Sequence, residues 1–114
     1  MATLFREDRS LLIPNLKVAK TALQRMRGLL GSTELADSEA LWLLPGNGIH
    51  TFFMKYQIDC VFLDRELRIR KVVSDIRPWK IVWPVFGAYS MIELKSGVAN
   101  KLGLNKGDRL YVGS

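Results

Sequence analysis

Three features of the sequence predict a mainly β fold with a minor helical part: a small antiparallel barrel or sandwich of about seven short strands. Apolar and β-branched runs recur at short intervals, as in Ile58–Leu63, Tyr89–Leu94 and Arg109–Val112. Turn-forming clusters separate them, among them Pro45-Gly46-Asn47-Gly48, Asp64-Arg65-Glu66-Leu67 and Leu104-Asn105-Lys106-Gly107-Asp108. Against these runs, one stretch near residues 21–30 carries helical spacing of any length. At 114 residues the chain is read as a single domain, 1–114, large enough to bury a core without a disulfide or metal staple.

In chain order, Thr3–Arg6 is the first strand. Leu11–Ala19 is the second, with Pro14-Asn15 expected to make it an edge strand or to break it in two. Thr21-Ala22-Leu23-Gln24 has the form of a capping box, in which hydroxyl and amide side chains satisfy the free amides of a helix start. The helix it opens places Leu23, Met26 and Leu30 on one face, and Gly31-Ser32 ends it. Leu41–Leu44 is expected to pair antiparallel with Ile49–Phe53 across the Pro45–Gly48 turn. Ile58–Leu63 and Arg68–Val73 form a hairpin in which Arg68 and Arg70 share the water-facing side. Residues 78–87, rich in aromatics and breakers, read as an irregular flap. A strand over Tyr89–Leu94, a helical turn near 97–103 and a last strand over Arg109–Val112 complete the chain.

Composition excludes several function classes. Cys60 and His50 are the sole cysteine and histidine, so neither an internal disulfide nor a zinc site of Cys and His ligands can form. No cofactor-binding motif is present, and the glycines at 97, 103 and 107 lack the Lys-Ser/Thr pair of a phosphate-binding loop. The charged first residues do not resemble an export signal, and the longest apolar run, Ile81–Ala88, is too short to span a bilayer and contains Pro84. A soluble cytoplasmic monomer without a membrane span is the expectation. Seventeen Lys and Arg against eleven Asp and Glu give a formal charge of +6. That favours polyanions in general, but the basic residues are scattered, with no run longer than Arg70-Lys71, which argues against nucleic acid as partner.

The motifs Arg25-x-x-Gly28-Leu29-Leu30, His50-Thr51-x-x-Met54, Ile58-Asp59-x-x-Phe62-Leu63-Asp64, Glu93-Leu94-x-x-Gly97 and Gly103-Leu104-x-x-Gly107-Asp108 occur in this order. Together they resemble the prokaryotic family of domain of unknown function 192 (DUF192), over about Leu16 to Val112. Gln57 stands where that family usually has proline, and Cys60 where it usually has a small apolar residue. The resemblance implies a compact β-rich domain and no established activity, cofactor or catalytic residue.

Chemistry therefore has to be weighed residue by residue. The stretch Gly48–Asp64 concentrates the rare side chains. His50 titrates near neutrality and can act as acid or base; it can equally be a packed histidine donating to a carbonyl. Asp59 and Glu93 lie among apolar neighbours and need partners if buried, Asp59 from His50, Arg25 or backbone amides. A converging His50, Asp59 and Glu93 would support hydrolysis or an open metal site, although no metal is assigned. Cys60, in an apolar strand, is a poor nucleophile.

Three readings follow. The leading one is a binding or accessory module whose pocket near His50, with Thr51, Trp42, Phe52, Trp79 and Trp83, takes a small molecule or peptide. The two tryptophans of the flap can alternatively plug the end of the core. The second reading is a hydrolase-like enzyme using His50 with Asp59 or Glu93. The third is a nucleic-acid binder through the basic surface.

Overall fold

The computed structural model describes residues 2–20, 34–50 and 55–113, with Ile49 and His50 described in backbone only. The expected helix over 21–30 lies outside the described residues. The strands are β1 (Ala2–Arg6), β2 (Leu11–Ala19), β3 (Glu39–Leu43), β4 (Ile49–His50), β5 (Ile58–Leu63), β6 (Ile69–Ile76), β7 (Ile81–Val82), β8 (Ser90–Lys95) and β9 (Leu110–Gly113). One helical turn, α1 (Val98–Lys101), follows β8. Seven strands form one sheet in the order β6-β5-β8-β3-β2-β1-β9, and β4 pairs with β7 in a separate two-stranded ribbon. The fold is mainly β, as the strand pattern predicts.

The large sheet curls until its two edges meet. Arg68 and Arg109 form an antiparallel bridge between the chain entering β6 and the chain entering β9. Three backbone bonds stitch this seam: Ile69 N–H to Asp108 O at 2.8 Å, Gly107 N–H to Ile69 O at 2.8 Å and Leu110 N–H to Leu67 O at 2.9 Å. Joining the edges at one end removes part of the unpaired backbone that an open sheet exposes. Beyond the seam the edges diverge, so the result is a half-barrel.

Two cores explain why β5 and β8 are apolar on both faces. Inside the curl, Leu4, Ile13, Leu16, Val61, Ile92 and Leu94 pack with Val98 and Ala99 of α1. On the outer face of the same strands, Leu41, Leu43, Cys60, Phe62 and Met91 form a second cluster with Val82 of β7 and with Val85 and Ala88 after it. Successive residues of a strand point to opposite faces, so a strand buried on both sides must be apolar throughout. Strand β5 meets this condition everywhere except at Asp59.

The pairing differs from expectation in four places. β3 does not pair with the following strand; it lies between β2 and β8, and Pro45–Gly48 carries the chain out of the large sheet to β4. A strand covered on both faces gains more from the sheet centre than from a local hairpin. The β2–β3 pair is parallel, from Asn15↔Glu39 to Ala19↔Leu43, which only a crossover such as residues 20–38 allows. Pro14 neither breaks β2 nor confines it to an edge. The β1 pairing shifts register between Ala2↔Leu16 and Leu4↔Ile13, and β3 begins pairing only at Asn15, so the missing N–H falls at a bulge. Finally, residues 78–87 are not wholly irregular, since Ile81 and Val82 form β7 against His50 and Ile49.

Candidate functional site

Asp59 is fully buried on the inner face of β5. One carboxylate oxygen accepts from Asp75 N–H at 2.9 Å, and the other from Gly97 N–H at 3.0 Å and Ala99 N–H at 2.9 Å. The last two are the free amides at the start of α1. The residue preceding that helix, Gly97, has φ 91° and no side chain with which to cap it. Asp59 supplies the cap from another strand, and the same group holds Asp75, itself at φ 53°. Ser96 adds a hydroxyl donated to the Asp75 carboxylate. Of the partners considered from sequence, backbone amides fill both oxygens, and what they tie together is β6 and α1.

Glu93 presents the opposite case. It pairs with Cys60 on β5 and Leu41 on β3, so its side chain lies on the outer face, within the second cluster. The residue is 1% exposed, and its Oε2 has no hydrogen-bond partner among the described residues. Burial pushes its carboxyl up to about 8, so it is neutral at pH 7. Burial likewise pushes the Cys60 thiol well up, with Glu93 and then Asp59 adding to it, which leaves the sulfur a poor nucleophile. The Tyr56 hydroxyl is raised by its own burial first and by Glu93 next.

Asp59 and Glu93 therefore stand on opposite faces of one sheet, and they cannot serve one site together. His50 is placed by its backbone, which pairs with Ile81; Thr51 and Phe52 lie outside the described residues. Trp42 is half-buried against the inner cluster and donates its indole N–H to Ser90 Oγ at 2.9 Å. Trp79 and Trp83 lie on the strap that runs across the outer side. Trp42 is thus separated by the sheet from the other two tryptophans.

That strap is the most exposed apolar part of the described surface. Within eight residues Trp79 is 59% exposed, Ile81 51%, Trp83 74% and Phe86 93%. Between the strap and β6 runs a groove of about 640 Å³, lined by Lys71–Ser74 on one side and Ile81–Phe86 on the other. Gly48, at the start of β4, lets the ribbon lie close: a Cβ there would come within 3.3 Å of Pro84 and Val82. Arg70 closes the groove's approach, its guanidinium lying so near Gly87 that a Cβ would sit 2.8 Å away. Sequence reasoning singled out Trp79 and Trp83 but not Ile81, Phe86 or Lys71. The breaker-rich composition of 78–87 was the available signal for Phe86, whereas nothing local tells that β6 would be its opposite wall.

A second depression, of about 470 Å³, sits at the seam among Arg6, Arg68 and Arg109 and the acidic Glu7, Asp8 and Asp108. Arg68 donates to Gly107 O, Arg109 to Glu66 O and Arg6 to Leu102 O. These guanidiniums brace the loops that close the half-barrel. No helix among the described residues is long and apolar enough to cross a membrane.

Similarity to other proteins agrees with the geometry. The DUF192 family profile, described as "Uncharacterized ACR", matches residues 4–112. A UPF0127 protein of Thermococcus sibiricus is 36% identical over 101 residues, covering 82% of this chain and 63% of its own length. The chain spans from about half to somewhat under two thirds of such curated relatives. A crystal structure of a protein of unknown function from Novosphingobium aromaticivorans superposes with TM-score 0.81 at 20% identity, covering 96% of this chain and 82% of that one. A crystal structure from Sinorhizobium meliloti, of a protein described as a "putative transcription regulator", superposes with TM-score 0.78 at 21% identity, covering 97% of this chain and 91% of that one. With the profile matched along nearly its whole length, this chain belongs to the DUF192 family.

Proposed function

We propose that this domain is a binding or accessory module, with the strap from Trp79 to Phe86, beside His50, as its contact surface for a small molecule or peptide. The observation that carries this reading is the clustering of Trp83 and Phe86, 74% and 93% exposed, along an open groove. Large apolar side chains gathered on a surface cost solubility and mark contact sites when they are contiguous. Enzymatic use of the buried carboxylates has less support. Asp59 is fully engaged by three amides, and Glu93 lies sealed in the outer cluster.

The test is a titration of intrinsic tryptophan emission with an apolar anionic dye, on the parent protein and on Trp83→Ala/Phe86→Ala. Both residues are exposed, so the double variant should keep the parent's unfolding midpoint while losing at least tenfold in dye affinity. Equal dye binding by the two proteins would remove the strap as the contact surface.

A further inference from the structure

We propose that the groove's occupant is an extended peptide of acidic character, which adds as a strand to the free edge of β6. This rests on the strap being the contact surface and goes further by naming the partner and its mode.

Three observations converge on it. First, β6 is an outermost strand of the large sheet, and past Ile69 it is paired, among the described residues, on its β5 side only. The residues from Arg70 to Ser74 therefore offer main-chain donors and acceptors along one edge. An added strand satisfies them at the ordinary inter-strand spacing of about 4.8 Å. Second, that edge forms one wall of the groove, and the opposite wall is the apolar strap, with Val82 and Val85 deeper and Trp83 and Phe86 at the rim. An extended segment alternates its side chains, so one set would lie against the strap and the other would face water. Third, charge selects the occupant. Among the described residues Lys71 is the sole charged one lining the groove and no carboxylate lines it, while Arg70 flanks it.

A second copy of this chain, pairing β6 with β6, would bring Arg70 and Lys71 against their own counterparts on molecules of net charge +6. Like charges facing each other across a strand pair are destabilising. Nucleic acid would meet the lysine but has no use for a strand edge. A lysine such as Lys71 and a register shift such as that between Phe62↔Lys71 and Leu63↔Ile69 are common devices for keeping an edge unpaired. Here, however, they stand next to a row of exposed aromatics, which a protected edge would not carry.

The experiment uses labelled decapeptide pools and fluorescence anisotropy. One pool alternates glutamate with mixed apolar residues, a second has lysine in place of glutamate, and a third is the acidic pool N-methylated at alternate amides. The acidic pool should bind at least tenfold more tightly than the basic pool, and N-methylation should lower its affinity at least tenfold. Lys71→Glu should invert the preference for charge, and amide exchange within Lys71–Ser74 should slow in the acidic complex.

Equal affinity for both charges, or indifference to N-methylation, overturns the strand-addition proposal. If the dye still binds in a manner dependent on Trp83 and Phe86, the broader binding reading survives that result. Loss of both overturns both. Light scattering that shows a dimer, abolished by Lys71→Glu or Trp83→Ala, would assign the groove to a second copy and refute the peptide.

Discussion

Asp59 and Glu93 lie on adjacent strands one register step apart, Asp59 opposite Leu94 and Glu93 opposite Cys60, yet their carboxyls point to opposite faces of the sheet. One is saturated with donors and the other has a bare oxygen. The two buried acids should therefore respond to mutation in opposite ways.

Replacing Asp59 should be among the most damaging changes in the described chain. Asp59→Ala strands three backbone amides, two of them at the start of α1, where that of Ala99 is buried. Losing a charged acceptor while leaving donors unsatisfied costs about 3–5 kcal/mol. Asp59→Asn keeps one acceptor and should cost roughly half as much. Urea unfolding measures both, and a loss below about 1 kcal/mol for the alanine variant would contradict the capping role.

Glu93 should make the protein less stable as pH rises. Its carboxyl goes from the ordinary value of 4.5 to about 8 on folding. Between those values the folded chain retains a proton that the unfolded chain releases. Stability is thus fully present below about pH 4.5, declines through the window and levels off above about 8. At about 1.4 kcal/mol per pKa unit, the whole effect is bounded at roughly 5 kcal/mol. Glu93→Gln has no proton to lose, so this contribution to the pH slope should vanish. The variant should then gain on the parent most at pH 8–9 in thermal or urea unfolding.

Cys60 should resist thiol reagents in the folded state. The side chain is fully buried and burial raises its thiol pKa. Its labelling by an aromatic disulfide reagent should follow the opening of the outer cluster and be accelerated by sub-denaturing urea. Rapid labelling of native protein would mean that the cluster is not closed.

Gly87→Ala should be mildly destabilising and should disturb Arg70. Gly87 has φ 82°, and a Cβ there would meet the Arg70 guanidinium at 2.8 Å. The left-handed backbone costs an alanine about 1 kcal/mol, while the arginine end can swing aside. Gly87→Ala with Arg70→Ala should then lose no more than the backbone share, which a double-mutant cycle resolves.

Much of the architecture is legible locally. The unbroken apolar run Ile58–Leu63 interrupted by Asp59, the turn at 64–67 and the hairpin return at Ile69 follow from alternation and turn chemistry. The glycine-closed turn near 97–103 is equally visible, ending at Gly103 with φ 67°. Pairing partners are less so. Leu41–Leu44 and Ile49 look like hairpin arms because only a four-residue turn separates them, but β3 is placed by neighbours distant in sequence.

The sequence by itself determines the β character, the motif set that identifies the family, and the presence of two carboxylates in apolar strands. Those are properties of composition, spacing and alternation, each readable within a few residues. The tertiary structure alone decides that Asp59 caps a helix 38 residues away, that Glu93 Oε2 meets no donor among the described residues, and that Trp83 and Phe86 face the edge of β6 across a groove. Strand parity assigns a side chain to a face; what waits on that face depends on which distant strand the folded sheet places beside it.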